Sequence, residues 1–383
     1  MRTILFRVTV AALLLFATTG CLVYDLKRLA SDEMGGRRSG TEGGDKAVEF
    51  LVRRLQSSTE GAFSGQTGAA AYRQDFPGGT NVVGIVRGTE LPDEYVVLGA
   101  HWDHLGSDCY GVSPEDDICN GATDNATGTA AVLEIADRLA ADPPRRSVVV
   151  ALWDREEVDF GGSKHYVANP PVPLADTVAY VNLDILGANL LPSLRSSSFA
   201  VASETGGPVL ESIVRDAIDE TPLDLATFSS IFGLYRSDYA TFISAQVPSV
   251  FFTDSTGPCY HTVHDEVEVV DVPKLRRQVD VVEQVTRDLA ATEVRPSFTT
   301  GLPLATYHDA VTLLSLIERA QVDQDRFPAA EQASIEDSRQ VVGQLVAEGP
   351  AEFSNDDMIS LLGHAAEVVD ILTYGECDGF LTD

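Results

Sequence analysis

The sequence predicts an α/β protein, a mixed but largely parallel central sheet sandwiched by helices, followed by a small all-helical C-terminal region. Three observations carry this. Almost continuous apolar runs of strand length occur at 147–153, 178–183 and 247–252, with strand-like runs before them at 81–86 and 95–100. Such runs mark strands buried on both faces, whereas a strand with one wet face would alternate. Helical patterns at 126–140, 207–219, 237–245 and 272–292 separate them, and strands alternating with helices imply parallel crossovers. Residues 297–383 differ: they hold 16 acidic and 3 basic residues, with helical stretches at 304–320, 328–348 and 355–373 and little strand pattern.

The elements can be justified in chain order. Arg2 and Arg7 flank the start of an uncharged, largely apolar run from Val8 to Ala17. Ten residues are too few to span a bilayer and fit the core of an export signal, so 1–20 read as a signal peptide. The Gly20-Cys21 junction resembles a bacterial lipoprotein signal, with Cys21 as the lipidated residue. That reading places the protein outside the cytoplasm, as a cell-envelope lipoprotein or else periplasmic or secreted. Residues 21–44, with Gly35-Gly36, Gly40 and Gly43-Gly44, read as a flexible tether. Val48, Leu51, Val52 and Leu55 recur at helical spacing and open the main domain, 45–296. The acidic helical region, 297–383, forms a second, smaller domain.

Composition narrows the function. The 383 residues carry a formal net charge of −31. That balance repels phosphate backbones and argues against a nucleic acid partner. Besides Cys21 there are Cys109, Cys119, Cys259 and Cys377. Four cysteines allow three pairings in an oxidising compartment, the most local of which joins Cys109 to Cys119 and leaves Cys259 for Cys377.

The metal-type side chains stand in an informative place. The run 95–100 ends in His101-Trp102-Asp103-His104, and the run 148–153 ends in Asp154-Arg155-Glu156-Glu157. The run 178–183 ends in Asp184, and Val250-Phe251-Phe252 leads to His261. Carboxyl ends of parallel strands share one edge of a sheet, where open α/β folds place their sites. His101, Asp124, Glu157, Asp184 and His261 then supply two imidazoles and three carboxylates, a donor set that suits zinc. Three carboxylates in one partly dry site repel one another. Two divalent ions sharing one carboxylate relieve this, and Asp124, in the 121–128 turn before a helix, is the candidate bridge. Asp103 can face the same way as His101 and accept its second N–H. Glu156, beside a ligand, stays free to move a proton between water and a leaving amine. Taken singly these are ordinary residues of turns and caps, and His104, His264 and His165 read as supporting or surface residues. The joint placement carries the reading.

These segments resemble the zinc-dependent exopeptidase family of the bacterial leucyl aminopeptidases, glutamate carboxypeptidase and glutaminyl cyclase. The resemblance lies in Leu98–Asp103, Gly121–Gly128, Trp153–Glu157, Asn182–Gly187, Arg236–Phe242 and Tyr260–Asp265, which occur in family order within about 45–293. It implies two zinc ions, one held by His101 and Asp184, the other by Glu157 and His261, with Asp124 bridging and Glu156 as general base. It also implies a cis peptide at Asp124–Asn125, an oxyanion-stabilising role for Tyr260 and a substrate-positioning role for Arg236. Arg155 replaces the commoner glycine before the Glu-Glu pair. An acidic loop with Cys109, Glu115, Asp116, Asp117 and Cys119 separates His101 from Asp124. The activity implied is hydrolysis of peptides, most simply removal of N-terminal residues. Two alternatives are a one-zinc glutaminyl cyclase and a non-catalytic envelope binding lipoprotein. The first is disfavoured because Asp124–Gly128 follows the peptidase form, the second because every ligand position and Glu156 are intact.

Overall fold

The computed structural model describes residues 22–373 and Cys377, so the expected signal peptide and Cys21 lie outside the described residues. Nine strands form one sheet. In chain order they are β1 (Glu60–Gly61), β2 (Arg73–Phe76), β3 (Gly79–Val86), β4 (Leu91–His101), β5 (Arg146–Trp153), β6 (Thr177–Leu183), β7 (Ser197–Val201), β8 (Asp224–Phe228) and β9 (Ser249–Thr253). The spatial order is β1-β3-β5-β4-β6-β9-β7-β8, with β2 also paired to β3. The central strands β5, β4, β6 and β9 run parallel, and β3 and β7 join them antiparallel. The mixed, largely parallel sheet expected from the apolar runs is therefore present. β1, β2, β7 and β8 escape the periodicity because they are short or carry polar residues, as in Ser197-Ser198 and Arg73-Gln74-Asp75.

Alternation along the buried strands divides the core. Val148, Val150 and Leu152 point to one face, where they meet α2 (Glu42–Leu55), α3 (Thr127–Ala141), α5 (Gly207–Glu220) and α7 (Val272–Ala291). Val149, Ala151 and Trp153 point to the other, which is covered by α4 (Gly161–Ala168) and α6 (Tyr239–Ser244). The same cluster continues into α8 (Tyr307–Ala320), α9 (Ala329–Glu348) and α10 (Asn355–Thr373), whose Leu313, Ile317 and Ala365 share it with Phe199, Val201 and Phe251. The acidic C-terminal region is helical as expected, and its apolar side is packed onto the sheet. No helix among the described residues is long and apolar enough to cross a membrane.

The stretch read as a flexible tether is instead packed structure from residue 22 onward. A helix over 22–29 (α1) buries Leu22, Leu26 and Leu29, and a 3-10 turn at Asp32–Arg37 buries Met34. Its glycines serve close approach rather than freedom. A Cβ on Gly36 would lie 2.5 Å from the Gly106 carbonyl, and one on Gly43 would lie 2.0 Å from the Met34 carbonyl. Composition alone does not distinguish a glycine that loosens a chain from one that lets two backbones touch.

Two disulfides tie the loops, Cys109–Cys119 and Cys259–Cys377, with Cα–Cα separations of 6.1 and 4.9 Å.

Candidate metal centre

Register brings the site together. β4 and β5 end level, with His101 opposite Trp153, and Leu183 of β6 lies opposite Phe252 of β9. His101 thus closes its strand, Asp154–Glu157 and Asp184 leave the ends of theirs, and His261 returns on the loop after β9. Asp124 comes from the turn before α3, whose Asp124–Asn125 peptide is cis. Asn125 fastens that turn: its Nδ2 donates to the Leu183 carbonyl at 2.9 Å and its Oδ1 accepts from Gly128 N–H at 3.0 Å.

The five expected ligand residues converge. Asp124 faces both ways, with Oδ1 3.2 Å from His101 Nε2 and Oδ2 3.1 Å from His261 Nε2. His101 Nε2 also lies 3.2 Å from Asp184 Oδ1, and His261 Nε2 3.2 Å from Glu157 Oε2. Adjacent ligand atoms around tetrahedral zinc, at ~2.0–2.1 Å from the ion, are about 3.3 Å apart. The spacing therefore fits, and so does the chemistry of imidazole nitrogen with carboxylate oxygen. Buried His261 Nε2 has no hydrogen-bond partner despite its two near carboxylates, as expected of an atom aimed at an ion rather than at an acceptor. Among the described residues, His101 with Glu156 and Asp184, and His104 with Asp124 and Glu157, form the groups able to hold a metal.

Charges are distributed unevenly over this cluster. Burial alone would depress the His101 pKa, but Asp184 and Glu156 outweigh it and hold it well above the ordinary imidazole value. Burial would raise Asp124, yet the imidazoles of His101 and His261 beside it keep it well below the usual carboxylate range. Glu157 resists both burial and the Asp124 charge, and His104 and His261 bring it down to about 2. Glu156 goes the other way. Burial pushes it well above the ordinary value, and the charges of Asp184 and Glu157 reinforce this against His101. Adjacent glutamates thus differ in proton affinity because one touches two imidazoles and the other only approaches one, at 3.9 Å.

The surrounding residues correct some expectations. His101 Nδ1 lies nearer the Asp103 carbonyl oxygen, at 3.2 Å, than its carboxylate, at 3.6 Å. The Asp103 carboxylate instead accepts the Glu156 N–H at 3.1 Å, fixing the backbone of the expected base. His104 is buried, with Nδ1 2.8 Å from Glu157 Oε1. His264 is exposed, and His165 stacks on Phe76. The Tyr260 ring stacks on His261 with centroids 3.8 Å apart, and exposed Arg236 lines the same cavity as Asp124, Glu156, Asp184 and Tyr260.

Two supports went unread in the sequence. Asp265 accepts from Thr123 N–H and hydroxyl through Oδ1 and from Asp124 N–H through Oδ2. Arg37, fully buried, donates to the carbonyls of Leu29, Trp102, Asn120 and Gly121. It links the N-terminal segment to both loops that carry His101 and Asp124. Asp265 stands in a segment already singled out for His261, but no spacing rule marks an acid whose partners are backbone amides. Arg37 was masked by its glycine-rich neighbours.

The family model described as peptidase family M28 matches residues 81–286, more than half of the chain. The chain belongs to peptidase family M28. The family resemblance carried by the motifs and the expected enzyme class, a zinc metallopeptidase, agree with this. The chain is 31% identical over 238 residues to a probable glutamate carboxypeptidase LAMP1 of Arabidopsis thaliana, covering 56% of this chain and 33% of the plant protein. It is 28% identical over 280 residues to aminopeptidase NAALADL1 of Rattus norvegicus, covering 65% of this chain and 36% of that one. It thus spans about a third of the length of these curated relatives. The fold is similar to that of the LapA aminopeptidase of Legionella pneumophila, with a TM-score of 0.55 at 16% identity over 72% of each chain.

Proposed function

We propose that the protein is a two-zinc aminopeptidase that removes N-terminal residues from peptides. The observation that carries this is the division of the Asp124 carboxylate between two histidine–carboxylate sets, with Glu156 standing free of the second. His101 and Asp184 would hold one ion, Glu157 and His261 the other, and Asp124 both. Bound zinc would supply Lewis acidity toward the scissile carbonyl and toward water. Glu156 takes the proton of the attacking water and returns it to the leaving amine, a task suited to a carboxylate with raised proton affinity. Tyr260, on the cavity wall beside His261, donates to the oxyanion of the tetrahedral intermediate. Arg236 orients the peptide at the mouth. The surplus of carboxylates favours a free amino terminus over a carboxylate end.

The export reading belongs with this proposal. Residues 1–20 direct secretion and Cys21 anchors the protein to the cell envelope, in keeping with two disulfides that need oxidising surroundings.

The deciding experiment measures metal content and amine release together, on residues 22–383 prepared as an exported soluble form. Two zinc per chain, with p-nitroanilide hydrolysis lost to a chelator and restored by zinc, is the expected result. One zinc with cyclisation of N-terminal glutamine would replace the proposal with the cyclase reading. Absence of metal would overturn it.

A further inference from the structure

The metal centre opens into a cavity of about 170 Å³. Asp124, Glu156, Asp184, Arg236 and Tyr260 supply its polar residues at the centre. Beyond them the wall is mainly apolar, with Gln321, Gln324, Gln332 and Glu336 as its polar members on the C-terminal side. One side belongs to the sheet, with Phe199, Val201 and Phe251. The facing side belongs to the C-terminal helices, with Leu316 and Ile317 on α8 and Val368 and Leu372 on α10. An apolar cavity of ~150 Å³ is large enough to bind benzene. This one therefore has room for a branched aliphatic or aromatic side chain. Against the apolar part of that wall, a charged side chain would lose its water without gaining a partner.

We infer that residues 307–373 form the specificity wall of the site, and that the group they select is a large apolar side chain borne by the residue whose amine sits at the metal centre. The inference rests on the aminopeptidase reading for the chemistry, but the selection itself is a property of the cavity. The wall comes from helices that begin 46 residues after the last ligand, His261, and lies outside the 81–286 segment that carries the family match. It is a feature of this chain rather than of the ligand set. Val368 and Leu372 stand one helical turn apart, so one face of α10 presents both to the cavity. The Cys259–Cys377 disulfide ties the end of this region to the loop that carries Tyr260 and His261, so wall and centre are held together at the mouth.

The test separates selection from catalysis. Isothermal titration compares isoamylamine, which is leucine without its carboxylate, with ethylamine on the full-length zinc-loaded protein. At ~0.8 kcal/mol per buried methylene, binding of isoamylamine is expected to be at least tenfold tighter. Val368→Trp and Leu372→Trp, which fill the cavity from a half-buried helix face, are expected to erase the difference. The same variants are expected to lower the leucine-to-alanine ratio of kcat/KM on p-nitroanilides at least tenfold. Equal affinity for the two amines would overturn the inference. So would a preference that survives in both folded variants, because the selecting wall would then lie elsewhere. If the amines are discriminated and the variants abolish this, but no p-nitroanilide is cleaved, the wall stands and the aminopeptidase reading falls.

Discussion

Asp265 holds Asp124 in place through the backbone: its two carboxylate oxygens accept the N–H groups of Thr123 and Asp124 at 2.8 and 3.0 Å. The Asp124 side chain, the bridge in the proposal, is thus aimed by an acid that touches neither histidine set. Such outer partners typically account for 10–100-fold in metal affinity. Asp265→Ala is expected to weaken zinc binding by about that factor while the protein stays folded, as read by competition with a fluorescent chelator. Unchanged affinity would show that the turn keeps its shape without this carboxylate.

Glu156 is the proton carrier in the proposal, so Glu156→Gln removes the function and keeps the shape. Turnover is expected to fall about 10²–10⁴-fold, the usual contribution of a general acid–base, with zinc content unchanged. Activity within a few-fold of the parent would move the base elsewhere.

Much of this was legible in the sequence, and the reason is topological. A parallel sheet gathers strand ends at one edge, so apolar runs terminating in His101, Asp154–Glu157 and Asp184 were enough to place a site. What the sequence could not show is whom a residue bonds through the backbone. Asp265 and Arg37 act on carbonyls and amides, which carry no residue code. The N-terminal glycines misled for a related reason, because close backbone contact and flexibility use the same amino acid.

Arg37 gives a direct test of that segment. Arg37→Ala removes a charge that four buried carbonyls share, and breaking such a buried arrangement costs about 3 kcal/mol or more. The denaturation midpoint should drop accordingly, with loss of zinc before global unfolding. A tether would give no change.

Asp25, buried in α1 against Arg54, adds a pH dependence. Burial raises its pKa to about 6 despite the Arg54 guanidinium. The folded state then binds a proton that the unfolded chain releases near 3.8. Its contribution is present below that value and lost as pH rises through 6, by on the order of 2–3 kcal/mol. Asp25→Asn is expected to flatten the stability curve between pH 4 and 6. A curve identical to the parent's would refute the assignment.

The Cys259–Cys377 bridge closes a span of 118 residues. A loop of about 100 residues is worth roughly 4–5 kcal/mol in chain entropy. Cys377→Ser should lower stability by several kcal/mol, measured under conditions that keep Cys109–Cys119 intact, and should weaken retention of the ion at His261.

The placement of the cavity wall has an evolutionary consequence. Every residue to which the proposal gives a metal or a proton lies between His101 and His261, while one side of the cavity wall comes from α8 and α10. On the proposed reading, substitutions in those two helices change which peptides are trimmed while the reaction chemistry is inherited intact. A lineage carrying this chain can therefore diversify its selectivity and keep its catalyst by varying only α8 and α10.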